Sequence, residues 1–252
     1  MFEVKVIADS INAAGNRLTT LALQYPRFIH SELMTHRVFS RNAMSSRAVP
    51  VAKMLAQVRE APAMPVHWGA NQPGMQASIE VAELAAAQKL WINAANSAAN
   101  WAEEMMELGL HKQVANRILE PFQWMRTIVT ATEFGNFFEL RTHKDADPNI
   151  KLLADMMLNE VQCCSVPKLL KPGEWHLPYV TEEEAKLIDS EINKPDETTL
   201  RGLCKISAAR CARVSYLTHD GASPDIEKDL QLFDRLAGAR PLHASPLEHQ
   251  GS

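Results

Sequence analysis

The sequence predicts an α+β fold, a largely antiparallel sheet packed against helices that include one long helix. Three observations carry this. The stretches from Phe2 to Ala8 (FEVKVIA), Arg17 to Tyr25 (RLTTLALQY) and Gln123 to Thr132 (QWMRTIVTAT) have the alternation or β-branched density of strands. The helical stretches between them do not alternate with strands in a regular βαβ order, which disfavours a doubly wound sheet. The 252 residues, 46% hydrophobic and 22% charged, read as one domain over 1–252 with an ordinary globular core.

Along the chain, Ala14-Gly15-Asn16 is a turn that makes the first two strands a hairpin, and Pro26 ends the second. Phe28 to Thr35 has helical spacing at Phe28, Ile29, Leu33 and Met34. Residues 48–75 are rich in proline and glycine and read as a loop from Ala61 onward. An alanine-rich helix is expected over 76–108, stopped by Gly109, with Trp91 and Trp101 as core or subunit-contact residues. His111 to Leu119 should be helical up to Glu120-Pro121. Asn136 to Arg141 and Pro148 to Val161 are helical, residues 165–203 form an irregular insertion, and Glu182 to Glu184 start a solvated helix. Ser207 to Tyr216 opens a final unit, whose helix from Asp225 to Ala237 places Ile226, Leu230, Phe233 and Leu236 on one face.

Composition narrows the setting. No apolar run approaches the ~18–20 residues that span a bilayer, so no membrane partner is expected. The N-terminus lacks a signal-peptide pattern, and the reading is cytoplasmic. Cys163, Cys164, Cys204 and Cys211 fit neither a CxxC metal knuckle nor a disulfide framework, so no metal site is expected and each reads as a buried, reduced thiol. The net charge is −4, yet between Glu32 and Glu60 no acidic residue occurs while His36, Arg37, Arg41, Arg47, Lys53 and Arg59 do. Such a segment suits an anion or a solvated basic face.

The densest chemistry lies in Thr35 to Arg47 (THRVFSRNAMSSR), which offers arginine forks, a histidine, an amide and hydroxyls. Arginine pairs bidentately with phosphate and serine donates to the remaining oxygens, so the stretch can hold a nucleotide or dinucleotide. Neither a Walker loop nor GxGxxG occurs.

The order of these residues resembles the signature of the flavin-dependent thymidylate synthases, which is RHR, two residues, Ser, one residue, Asn-Glu, one residue, Ser, one residue, Arg. His36, Arg37, Ser40, Asn42, Ser45 and Arg47 fall in register, while Thr35 and Ala43 replace the family's Arg and Glu. Further matches are Arg117 to Pro121 (Arg-x-x-x-Pro) and Asn136 to Arg141 (Asn-Phe-x-x-x-Arg). Two family segments that normally precede the signature stand last here, Ala212-Arg213-Val214-Ser215 and His243 to His249 (HASPLEH). The motif order looks circularly permuted.

The resemblance implies FAD-dependent methylation of dUMP at C5 to dTMP, with methylenetetrahydrofolate and NADPH as co-substrates. It implies flavin contacts from Thr35, His36, Arg37, Val38, Asn42, Asn136, Ser215, Ser245 and Glu248. The nucleotide falls to Glu32, Met44, Ser45, Ser46, Arg47, Arg117 and Arg141, and the folate side to His243. Arg141 would stabilise charge on the pyrimidine edge, an electrostatic route to C5 activation where no cysteine has the pattern of an activated nucleophile. Family members are homotetramers with shared active sites. Thr35 and Ala43 leave open a C5 hydroxymethylase or methylase of dUMP or dCMP. A nucleic-acid-binding module using residues 33–59 is the distant alternative, disfavoured by the net negative charge and few interleaved aromatics.

Overall fold

The structure, a computed structural model, describes residues 1–185, 197–215 and 225–252. β1 (Glu3–Ile11) and β2 (Arg17–Pro26) form the expected hairpin, β1 reaching three residues past the sequence boundary. Asn12 Oδ1 accepts from the amides of Ala14 and Asn16 across the turn. β2 pairs antiparallel with β4 (Trp124–Ala131), and β4 with the short β3 (Ser40–Ala43). β5 (Lys168–Leu169) adds a parallel pair at the far edge, giving the order β3-β4-β2-β1-β5.

The sheet has two unlike faces. Leu21, Leu23 and Tyr25 of β2 and Met125, Val129 and Ala131 of β4 belong to one contiguous apolar core. Over it lie α1 (His30–Met34), α2 (Val51–Glu60), α3 (Leu84–Glu107), α5 (Gly135–Arg141) and α6 (Pro148–Asn159), with α4 (Lys112–Ala115) at the edge. The intervening residues Thr20, Ile128 and Thr130 look to the second face, where Ile128 packs on Cys211 and Val214. Those two come from α7 (Glu197–Ala212) and the 3-10 turn Arg213–Ser215, and α8 (Ile226–Ala237) packs on α7. A bulge between Val6 and Ala8 reverses the alternation of β1. Val4 and Val6 therefore pack on the apolar core, whereas Ser10 reaches the second face.

Several boundaries move. The long helix starts at Leu84, because residues 79–81 pair with 68–70 instead: Ala70 N–H donates to Ile79 O and Val81 N–H to Trp68 O, both at 2.7 Å. Its end is as expected. Gly109 at φ 81° lets the amides of Gly109 and Leu110 reach the carbonyls of Met106 and Met105. Trp91 packs among Phe28, Trp68 and Phe122, while Trp101 is 56% exposed. The helix expected over 111–119 is only α4, followed by a 3-10 helix Asn116–Phe122 that takes Pro121 inside it. α2 was not read from the sequence. Pro50 precedes its first residue, and Met54, Leu55 and Val58 make one buried face.

The stretch 165–203 is not wholly irregular, since it holds β5 and the start of α7, and Ser207 lies within α7 rather than opening a unit. Tyr216 and His219 lie outside the described residues. Residues 182–185 do begin a helix, with Thr181 and Glu184 bonding each other's amides. Glu184 is not solvated, however. It pairs at 2.6 Å with Arg210, which also binds the buried Asp229 at 2.8 Å and so ties α7 to α8. Burial of every thiol is likewise overturned: Cys163 and Cys164 are exposed at the end of the π-helical turn Glu160–Cys164, and Cys204 is half-buried. Cys211 is buried, and burial pushes its thiol up to about 12.

Candidate active site

The expected residues gather in three groups. The first surrounds Arg141 in the last turn of α5. Its Nε donates to His36 Nε2 (3.0 Å), Nη1 to Glu32 Oε2 (3.3 Å) and Nη2 to Thr35 Oγ1 (3.3 Å). A guanidinium only donates, so His36 must accept at Nε2 and carry its proton on Nδ1. Burial, then the cations Arg141 and Arg41, push the His36 pKa down and keep that ring neutral. Phe137 meets the imidazole edge-to-face at 4.8 Å and Phe39 stacks at 5.9 Å. Glu32 is pushed up by burial and by Asp147, against the pull of Arg141. Three of the five guanidinium N–H groups are used, leaving two for a ligand. Arg37, Val38 and Asn136 are exposed beside this group, and Arg41 pins the turn by donating to the carbonyls of Met34 and His36.

The second group joins the two ends of the chain. Asn42 on β3 donates through Nδ2 to Cys211 O (2.7 Å), and its Oδ1 accepts from Ser245 Oγ (3.1 Å). Ser245 opens the 3-10 turn Ser245–Glu248, which packs against β3. Asn42, Ser45, Arg47, Gln113, His243 and Ser245 line a cavity of about 410 Å³. Glu248 is exposed at the end of that turn. Ser215 closes the turn Arg213–Ser215, which packs on β4.

The third group centres on Glu120. Its Oε1 accepts from Arg117 Nη1 (2.9 Å) and Ser46 Oγ (3.0 Å) and lies 3.0 Å from Arg27 Nη2. Ser46 is buried, whereas Arg117 is exposed. Met44 is buried, its N–H donating to Arg126 O. It lines a larger cavity of about 560 Å³ with Lys53, Gln57, Trp124 and Arg126, which holds none of the other expected residues. The smaller cavity is the better candidate, because residues from both motif-bearing ends converge on it.

Sequence reasoning missed Glu120 and Gln113, whereas Arg41, read as part of a basic segment suited to an anion, donates to backbone carbonyls of its own turn. Glu120 was legible in principle, being three residues from Arg117 and hence on the same helical face. Gln113 gave no local signal.

Comparison with known proteins decides the family. The profile of the thymidylate synthase complementing protein family (Thy1) matches residues 18–165, more than half of the chain. The chain belongs to this family. The Thy1 match contains Glu32, the whole Thr35–Arg47 segment, Arg117, Asn136 and Arg141, and stops before Ser215, His243, Ser245 and Glu248. Among solved structures, the UMP/dUMP methylase PolB from Streptomyces cacaoi bound with 5-Br UMP superposes with a TM-score of 0.52 at 16% identity, over 64% of this chain and 88% of that one. The same enzyme bound with 5-Br dUMP gives 0.53 at 16%, over 64% and 90%. At that identity the likeness is one of fold. No curated protein sequence matches the chain.

Proposed function

We propose that this Thy1 protein is an FAD-dependent enzyme that methylates dUMP at C5 to dTMP, using methylenetetrahydrofolate and NADPH. The observation that carries the reading is the 3.1 Å hydrogen bond between Asn42 and Ser245, residues 203 positions apart that the resemblance had already assigned to one ligand. A cavity offering an arginine, two serines, two amides and an imidazole is competent for a phosphate-bearing cofactor. When bound, the flavin would supply the redox chemistry. That the similar fold is a UMP/dUMP methylase supports a pyrimidine nucleotide as substrate.

The chain's own residues bind, orient and polarise. Neutral His36, with Glu32 and Thr35, fixes the plane of Arg141, whose two remaining N–H groups would face the N3/O4 edge of the pyrimidine. Negative charge grows there as C5 becomes nucleophilic, so a fixed cation stabilises the transition state more than the ground state. Arg47 and Arg117 would hold the 5′-phosphate. Exchanging Glu120 for a phosphate costs Arg117 little, because Arg27 and Ser46 still satisfy that carboxylate. Arg37, Val38, Asn136, Ser215 and Glu248 would complete the flavin side, and His243 the folate side.

The permuted motif order belongs to this reading. In the family order the HASPLEH segment leads into the strand that is β2 here, and Gly251 lies so close to the start of β2 that a Cβ on it would come 2.8 Å from Leu18 Cδ2. A homotetramer with shared sites accounts for the Arg141 group not lining the motif cavity of its own chain. A second reading, a hydroxymethylase or a dCMP enzyme, is favoured by Ala43, which puts no carboxylate on β3 beside Asn42. Incubating the purified protein with UMP, dUMP or dCMP and weighing the product separates these. A protein that is colourless and does not change its spectrum on FAD titration sinks the flavin reading altogether.

A further inference from the structure

Below the motif cavity, on the second face of the sheet, five buried side chains form one hydrogen-bonded chain. Ser10 Oγ meets His176 Nδ1 (2.9 Å), His176 Nε2 meets Thr20 Oγ1 (2.8 Å), Thr20 meets Thr130 Oγ1 (2.7 Å), and Thr130 meets His249 Nδ1 (2.7 Å). All are at most 5% exposed. We propose that His249 and His176 are positioning residues for the candidate site, holding the segment 243–251 at the height on the sheet that lets Ser245 reach Asn42. The site's chemical identity as a flavin site rests on the proposed function; the positioning rests on the contacts alone.

The segment is fixed at three points. Ser245 donates to Asn42 on β3, His249 bonds Thr130 on β4, and Gly251 exchanges backbone hydrogen bonds with His176, at 2.7 and 3.3 Å. Two of these three anchors run through the histidines, one by a ring and one by a backbone. His176 grips the segment by its backbone and β1 and β2 by its ring, while His249 grips β4 by one nitrogen only, since its buried Nε2 has no partner among the described residues. The four links need four protons, and two neutral imidazoles with three hydroxyls hold five, so the chain is satisfied without charge. Burial favours that neutral state, pushing both histidines down to about 4. An apolar residue at 249 would strand the Thr130 end of the chain and free the turn that carries His243 and Ser245, whereas an amide placed near Nδ1 could restore the bond.

The test compares His249→Leu with His249→Asn in the full chain, reading hydrogen exchange of residues 243–251 alongside FAD titration. The expected result for His249→Leu is at least tenfold faster exchange in 243–251, unchanged protection in β2 and β4, and at least tenfold weaker FAD binding. His249→Asn should recover most of both. Wild-type exchange and affinity in His249→Leu, or equal defects in the Leu and Asn variants, would overturn the proposal. If His249→Leu fails to fold, Thr130→Val removes the same bond from the sheet side and is judged by the same exchange and titration results. If the wild-type protein itself ignores FAD, the flavin reading falls while the exchange comparison still decides the positioning role.

Discussion

The two faces of the sheet do different work with the same strands. On the first, Leu21, Leu23, Tyr25, Met125 and Val129 meet five helices in one continuous apolar core. On the second, the apolar contact is small, Ile128 with Cys211 and Val214, and the space around it is threaded by hydroxyls and imidazoles. The first face supplies the burial that drives folding, which is non-directional and tolerant of detail. The second supplies directional bonds, which set where Asn42, Ser245 and His243 stand relative to one another. Stability and site geometry are thus divided between opposite sides of a single layer.

The largest expected effect comes from cutting the first face. Leu21→Ala should cost about 2–5 kcal/mol and lower the midpoint of a single cooperative transition in urea, while Val214→Ala on the second face should cost roughly 1–3 kcal/mol. A larger loss from Val214→Ala would reverse this division of labour between the two faces. Next in size, Arg141→Ala should lower kcat by roughly 10²–10³-fold, as removal of one transition-state donor does. Arg117→Ala should mainly raise KM, because phosphate charge barely changes during reaction. Steady-state kinetics in which Arg141→Ala alters only KM would refute the placement of the nucleotide.

Acid should weaken the second face through its two buried histidines. His176 and His249 titrate at about 4 when folded, against an ordinary value near ~6.5 in the unfolded chain. Their folded pKa values are depressed, so the unfolded state takes up protons first as pH falls. The stability they contribute is full above about 6.5 and is lost progressively down to about 4, at most roughly 3 kcal/mol per histidine. His30 on α1, also at about 4, adds to the same window from the first face. Urea midpoints measured from pH 7 to 4 should fall in the wild type and fall less steeply in His249→Asn; parallel curves would contradict the assignment. The smallest effect is expected from the thiols. Replacing Cys163, Cys164, Cys204 and Cys211 by Ser or Ala should leave kcat within about twofold, since the Cys211 thiol is held protonated and none lies in the motif cavity. A single cysteine change that abolishes turnover with fold and flavin intact would restore a thiolate mechanism.

Much of this was legible in the residues. The hairpin, β4, α5, α6 and the glycine stop of the long helix follow from alternation, β-branching and punctuation, all local properties. So did the family, whose signature survives as His36, Arg37, Ser40, Asn42, Ser45 and Arg47. Local signals failed where a distant partner overruled them. Residues 79–81 are kept out of the long helix because residues 68–70 pair with them, and Glu184 is enclosed because Arg210 from α7 claims it. His176 stands in the stretch read as irregular, and its bonds to Ser10 and Thr20 exist only because the fold brings three distant segments together.

The sequence by itself determined the α+β class, the hairpin and the family signature, because period, propensity and motif spacing are written in adjacent residues. Tertiary structure alone decided which of those residues meet. Whether Ser10 looks into the core or to the second face depends on a one-residue bulge, and whether Ser245 reaches Asn42 depends on the placement of β3, 203 positions away. Such contacts arise from packing geometry, which no local pattern encodes.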